Sequence, residues 1–260
     1  MKTKILNIYC NSNQAVRDAH AMLTANIHIG NDHNKLRTFV LTSCNTGEGK
    51  TSLAIGLAVS MASSGWKVLL VDADLRKPSA AKRLNEKPLF GLTDHLMGNV
   101  SLNEVLCETN ITNLFYLPSG SDHPNPIGLL CSAEFEEMTD ILSHEFNFVL
   151  FDTPALASGI DGALMASKAD ATLLVVKMGS TNLKNLKRVK DQFAEIQANI
   201  LGVILNKMKK RDYKVYFESY NYFFNSKRFF REKRVQGIKH PSTGKFFKVN
   251  KFNNHKSNNK

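Results

Sequence analysis

Residues 43–51 of this 260-residue chain read Ser-Cys-Asn-Thr-Gly-Glu-Gly-Lys-Thr. An apolar run, Thr38-Phe-Val-Leu-Thr42, precedes them, and a helical apolar pattern, Ser52-Leu-Ala-Ile-Gly-Leu-Ala-Val59, follows. Strand, glycine-rich loop, Gly-Lys-Thr and helix is the layout of a P-loop. A phosphate chain is held there by backbone N–H groups, by the positive end of a helix, by one lysine and by one metal-holding hydroxyl. Thr46, Gly47, Glu48, Gly49, Lys50, Thr51 and Ser52 form the expected cradle. Gly47 and Gly49 let the backbone approach phosphate oxygens. Lys50 is placed to reach the β and γ phosphates, and Thr51 to put its hydroxyl on Mg²⁺. The first glycine of the pattern is replaced by Cys44.

Two further apolar runs end in carboxylates. Trp66-Lys-Val-Leu-Leu-Val71 leads into Asp72-Ala-Asp74, and Phe146-Asn-Phe-Val-Leu-Phe151 leads into Asp152-Thr-Pro154. Uninterrupted apolar strands suit a parallel sheet covered on both faces. Ligands of such sheets bind at the carboxyl ends of the strands, so these acids are expected beside the P-loop phosphates. Asp152 looks like a Walker B aspartate, on Mg²⁺ directly or through water. More strands are expected over 114–117, 171–176 and 200–205, with helices near 132–145, 161–168 and 181–198. Alternating strands and helices predict an α/β fold with a doubly wound, mostly parallel sheet.

A hydrophobic fraction of 43% is enough for a proper core. No run of about 18 apolar residues is present, and residues 1–7 hold no apolar stretch of leader length. The four cysteines, at 10, 44, 107 and 131, lack metal or disulfide spacing, so a reduced, cytoplasmic protein is expected. The net charge of +11 is concentrated: from Asn206 to Lys260 there are 16 Lys/Arg against 3 Asp/Glu. Half of the 16 phenylalanines fall in the same stretch. This divides the chain into an N-terminal helix region over 1–34, a nucleotide-binding domain over 35–210 and a basic, partly disordered tail over 211–260. A basic segment interleaved with aromatics suits the anionic inner face of the cell membrane, and less well nucleic acid; a solvated tail is the plainer reading. The tail also holds Tyr213, Tyr216, Tyr220 and Tyr222, four of the six tyrosines. Beside an ATP site they are candidate phosphoryl acceptors, and each phosphate adds about −1.5 to −2 charge.

From about Val16 to Tyr222 the chain resembles the bacterial protein-tyrosine kinases (BY-kinases) of capsule and exopolysaccharide synthesis. Val71-Asp-Ala-Asp-Leu-Arg-Lys-Pro78 resembles their Walker A′ motif and is the most specific match; Val149-Leu-Phe-Asp-Thr-Pro154 resembles their Walker B. Leu117-Pro-Ser-Gly120 with Pro124-Asn-Pro126 resembles a segment between the two. Gly202-Val-Ile-Leu-Asn206 resembles the strand whose closing Asn206 lies near the adenine. The resemblance implies ATP and Mg²⁺, with Lys50 and Thr51 on phosphates and metal and Asp74 and Asp152 serving the metal. Asp72 is then the acid that orients or deprotonates the tyrosine, although sequence does not divide the roles of Asp72 and Asp74. It also implies autophosphorylation at the tail tyrosines, a homo-oligomer, and a membrane-anchored activator, a polysaccharide chain-length regulator, that places the kinase at the inner face of the membrane. The family's ring is built by a Glu and two Arg at three-residue steps on the N-terminal helix. Here Asp18, Ala21 and Thr24 stand at those steps, which weighs against the ring. Thr46 and Gly128 depart from the family's usual Pro and Glu.

Two rivals share the P-loop. A Min- or Par-type positioning ATPase would carry a second lysine in the loop, where this chain has Asn45 and Thr46. A degenerate regulator would bind ATP without transferring phosphate; the missing arginines favour it, and the retained Lys50, Thr51, Asp72, Asp74 and Asp152 oppose it.

Overall fold

The apolar strands sort their side chains alternately to two faces. The computed structural model describes residues 5–8, 13–31, 35–76 and 90–209. The segment holding Lys77 and Pro78, and everything from Lys210 onward including the four tail tyrosines, lies outside the described residues. The strands are β1 (Ile5–Leu6), β2 (Thr38–Ser43), β3 (Val68–Asp72), β4 (Cys107–Thr109), β5 (Leu114–Leu117), β6 (Phe148–Asp152), β7 (Ala171–Lys177) and β8 (Ile200–Asn206). They form one sheet in the order β1-β4-β5-β3-β6-β2-β7-β8. Every pairing is parallel except β4 with β5. The doubly wound, mostly parallel α/β fold expected from the sequence is the one observed.

Helices cover both faces: α1 (Gln14–Gly30), α2 (Lys50–Ser63), α3 (Leu92–Leu96), α4 (Leu102–Val105), α5 (Pro126–Leu130), α6 (Ala133–Glu145), α7 (Asp161–Lys168) and α8 (Leu183–Glu195). Phe39, Leu41, Val68, Leu70, Phe148, Leu150, Leu173 and Val175 point to one face, against Leu53, Leu57 and Met61 of α2 and Ile27 of α1. Val40, Leu69, Val71, Val149, Phe151, Leu174 and Val176 point to the other, against Phe135, Met138 and Leu142 of α6, Met165 of α7 and Phe193 of α8. The period of two on each strand feeds both layers, which is why these strands read as continuous apolar runs. The helices supply the matching stripes: Leu53, Leu57 and Met61 recur every fourth residue on α2.

The N-terminal helix lies on the α2 side of the sheet. His20 packs over Gly56, where a Cβ would run into the imidazole, so a glycine in mid-helix is a packing requirement. Thr24 is buried and its hydroxyl donates to Ser60 Oγ at 2.9 Å. At one of the steps where the resembling family carries arginine, this helix therefore turns inward, while Ala21 is exposed.

Candidate nucleotide site

Strand order sets the site. β2 runs between β6 and β7, and the chain leaves its carboxyl end into the loop that starts α2. On one side Leu41 is in register with Asp152, and Asp152 with Asp72 on the next strand. The two carboxylates that end β6 and β3 thus stand beside each other at the edge from which the loop emerges. Here the sheet's connections diverge to left and right, the place where open α/β sheets bind ligands.

The loop has the backbone that phosphate binding requires. Gly47 and Gly49 have φ of +74° and +95°, in the left-handed region open to glycine. Gly49 caps α2, whose first residue is Lys50. Gly47 is exposed, with open space where a Cβ would be. Lys50 and Thr51 are half-buried, Thr46 and Ser52 exposed. Cys44 has no positive φ and its side chain is buried in the core, so this position takes a small apolar residue as readily as the pattern's glycine. Burial, and then the Glu48 charge, push its thiol pKa up.

Glu48 is the structural centre of the loop. Its carboxylate is 1% exposed and turns toward the β7–α8 connection. One oxygen accepts from Ser180 Oγ at 2.6 Å, Thr181 Oγ1 at 3.0 Å and the Lys177 amide at 3.3 Å. The other accepts from the Asn45 amide at 3.1 Å. Burial opposes ionisation, but the hydrogen bonds prevail and the pKa lies below the ordinary value. From the far edge, Asn206 Nδ2 donates to Glu48 O at 2.9 Å and Lys207 Nζ to Gly47 O at 2.8 Å. Asn206 sits so close that a Cβ on Gly49 would collide with its amide.

The acids differ in their surroundings. Asp72 is fully buried; burial, and then the Asp152 charge, raise its pKa to about 7. The Tyr116 hydroxyl donates to Asp72 Oδ2, and the Asp74 amide to Oδ1, both at 3.4 Å. Asp152 is 1% exposed, and Asp74 is half-buried at the start of the next segment. Arg76 Nε donates to Asp161 Oδ2 at 2.9 Å, tying the segment after Asp74 to the start of α7. Asp161 is 2% exposed and carried no sequence signal, since its partner lies 85 residues away. Among the described residues no three His, Cys, Asp or Glu side chains make a ready metal cage. The oxygen donors present, the Asp74 and Asp152 carboxylates and the Thr51 hydroxyl, are of the kind Mg²⁺ takes, one or two carboxylates beside substrate phosphates and several waters.

No helix among the described residues is long and apolar enough to cross a membrane.

Comparison with known proteins agrees with this geometry. The family model of the CobQ/CobB/MinD/ParA nucleotide binding domain matches residues 39–229. The chain is 40% identical over 188 residues to the tyrosine-protein kinase CpsD of Streptococcus pneumoniae serotype 4, covering 72% of this chain and 82% of that one. Among solved structures, the chimerical protein CapA2B2 is 30% identical, with a TM-score of 0.71 over 80% of this chain and 96% of its own. The kinase domain of the Escherichia coli tyrosine kinase ETK is 26% identical, with a TM-score of 0.72 over 75% of this chain and 76% of that one. With a nucleotide loop flanked by paired strand-end aspartates, and with these relatives, the chain belongs to the CobQ/CobB/MinD/ParA nucleotide-binding family and, within it, to the bacterial tyrosine-protein kinases.

Proposed function

We propose that this chain is an ATP-dependent protein-tyrosine kinase of capsular or exopolysaccharide synthesis that phosphorylates its own tail at Tyr213, Tyr216, Tyr220 and Tyr222. The observation that carries the reading is the register of Asp72 with Asp152 on adjacent strands, next to the loop that begins α2. Two carboxylates and a phosphate cradle at one sheet edge are what phosphoryl transfer asks for, since that chemistry is mostly positioning and charge neutralisation.

Residues 46–52 hold the phosphates through loop amides, and Lys50 neutralises the β and γ groups. Thr51, Asp74 and Asp152 would hold Mg²⁺, which would supply charge neutralisation for the phosphoryl group in transfer. The tyrosine oxygen attacks the γ phosphorus, the bond to the β–γ bridging oxygen breaks, and ADP departs. We assign the tyrosine proton to Asp72. A free tyrosine has a pKa of about 10, and a base that titrates near 7 is matched to working pH. Asp74, half-buried and nearer solvent, is better placed for the metal. Asn206 completes the nucleotide site beside the adenine.

The family's assembly carries over as part of the proposal. A membrane-anchored chain-length regulator activates the kinase at the inner face of the membrane, the protein self-associates without relying on the missing arginines, and the basic tail adds contact with anionic lipid. Mass spectrometry of the full chain after incubation with Mg-ATP and the activator's cytoplasmic segment, beside Asp72→Ala, tests the reading. Phosphate on the tail tyrosines of the wild type alone is expected. Nucleotide binding with no phosphotyrosine in any sample would transfer the assignment to an ATP-binding regulator.

A further inference from the structure

The rim of the sheet beside β7 and β8 carries charge of one sign. Residues 177–190 hold five Lys or Arg and no Asp or Glu. Lys177 ends β7 and is exposed, as are Lys207 and Lys209 just past the end of β8. α8 starts at this rim, directly after Thr181 and Asn182. Because β8 is parallel to β7, the helix runs back toward the opposite edge of the sheet.

Val189 and Phe193 bury one side of α8. At about 100° per residue, Lys184, Lys187 and Arg188 fall on the opposite side, exposed and turned away from both the sheet and the nucleotide loop. They are therefore not phosphate ligands of the site described above. None makes an ion pair among the described residues, and Lys184 and Arg188, four apart, repel each other. The helix also carries its charge against its own dipole, which favours anions at the start and cations at the end. No acid lies in the first turn and no base in the last; Lys184 stands in the first turn and Glu195 in the last. Asp191 and Glu195 share the outer side but sit at the far end, so the cations gather at the rim.

Apolar side chains stand among these cations. Leu183, the first residue of α8, is 78% exposed. Leu205 is in register with Val176, the residue before Lys177, and is 52% exposed. Its neighbour Ile204 packs into the core on the α2 face, so Leu205 points to the α8 face. Unpaired cations around exposed leucines complement an anionic bilayer: headgroups pair with the charges and the leucines enter the acyl boundary. A nucleic-acid backbone would use the charges alone. The rest of the chain past Lys209 is basic itself and does not complement this rim.

We propose that the β7–β8 rim, with the first two turns of α8, docks on an anionic lipid bilayer, with Lys184, Lys187 and Arg188 on headgroups and Leu183 inserted beside them. The inference rests on the membrane location proposed above and gives it a folded surface, separate from the basic tail. Docked in this way, the carboxyl edge of the sheet, and the nucleotide loop with it, faces the membrane.

Leu183→Trp in the full chain reads this contact apart from the tail. The wild type is its control, because the chain's one tryptophan, Trp66, packs against His28 and Phe148 on the α2 side of the sheet. The probes are vesicles of phosphatidylcholine with phosphatidylglycerol, bromine-labelled on the acyl chains, and vesicles of labelled phosphatidylcholine alone. With the anionic vesicles the introduced indole should shift to the blue and be quenched; the wild type, and the neutral vesicles, should show neither effect. Adding Lys184→Gln, Lys187→Gln and Arg188→Gln should weaken vesicle affinity by roughly tenfold or more with the tail intact. The urea midpoint should hold, since all three side chains are exposed. Flotation of the triple glutamine variant with Leu183 retained gives a second reading. An indole left in water while the chain floats with anionic vesicles would overturn the proposal, as would an equal response to neutral lipid, no vesicle binding at all, or full affinity in the triple variant. Loss of Mg-ATP or double-stranded DNA binding in that variant, with vesicle binding kept, would reassign the cations to those ligands. Phosphotyrosine is measured on the same proteins: docking without phosphotransfer refutes the kinase reading and supports this one, and phosphotransfer without docking refutes this one alone.

Discussion

Glu48→Gln isolates what the buried carboxylate does for the loop. The exchange keeps shape and volume and changes one oxygen to an amide nitrogen. Glu48 has donors on both sides, with Ser180, Thr181 and the Lys177 amide on one oxygen and the Asn45 amide on the other. A glutamine oxygen can face the crowded side, and its NH₂ must then face the Asn45 amide, donor against donor. That leaves a backbone N–H without its acceptor, at about 1–3 kcal/mol. The remaining bonds also lose charge assistance, which roughly halves their strength. Ser180 Oγ lies 2.9 Å from the Lys177 carbonyl as an alternative acceptor, so its share of the loss is small. A destabilisation of about 2 kcal/mol is the expected result, or roughly 4–8 °C in Tm for a domain of this size.

The pH dependence gives the prediction its sign. The folded-state pKa of Glu48 lies below the ordinary value, so its contribution is present above the unfolded pKa of about 4.3 and is lost as pH falls through the folded value. Glutamine does not titrate. The wild type should therefore exceed Glu48→Gln in stability at pH 7, and the gap should narrow on acidification below about pH 4.5. Urea unfolding of the two proteins at a series of pH values measures it. Equal stability at pH 7, or a gap that widens toward acid, would refute the view that an ionised carboxylate holds the loop to the β7–α8 connection.

Other consequences are simpler to state. Lys50→Met should abolish phosphotransfer, measured as incorporated phosphotyrosine, while leaving the unfolding transition close to that of wild type. Asp72 has a folded-state pKa of about 7, above its unfolded value, so its ionisation opposes folding increasingly between about pH 4 and 7. Asp72→Asn should then stabilise metal-free protein by a few kcal/mol at pH 8 and by almost nothing below pH 4, while losing kinase activity; no gain at pH 8 in thermal melts with a chelator present would show that the buried charge is compensated. Deleting residues 226–260 should weaken co-sedimentation with anionic liposomes, and high salt should weaken that of the intact chain, because screening shortens the reach of surface charge from about 8 Å at physiological salt to about 3 Å at 1 M. Sedimentation unchanged in both experiments would return the basic residues to a solubility role.

The strands were legible because burial on both faces forces long apolar runs, and runs that close in aspartate announce which sheet edge carries chemistry. β4 escaped for the opposite reason. Its three residues, Cys107, Glu108 and Thr109, are partly exposed and alternate too briefly for any period to register. β1 has only two residues. The helix expected over 181–198 is observed as Leu183–Glu195, beginning where the Asn182 side chain accepts from the Asn185 amide at 2.8 Å. Local capping chemistry sets that boundary, whereas the apolar pattern alone does not.

The loop itself divides along the same physical line. Its glycines and lysine are visible in sequence because they act on a ligand through spacing within nine residues. Among its supports, Ser180 and Thr181 at the end of β7 and Lys207 after β8 carry no sequence signal, because each arrives from far along the chain, and Asn206 is legible only through the family resemblance, as a residue near the adenine and not as a donor to the Glu48 carbonyl. All four sit on the side of β2 away from the paired aspartates. On the proposed kinase reading the two halves of the site have separate tasks: the β3–β6 side brings charge and a proton acceptor to the terminal phosphates, and the β7–β8 side, whose side chains bond the loop, fixes the cradle that holds them. A substitution on the first side should therefore strike kcat with nucleotide affinity largely kept, and one on the second should strike affinity first.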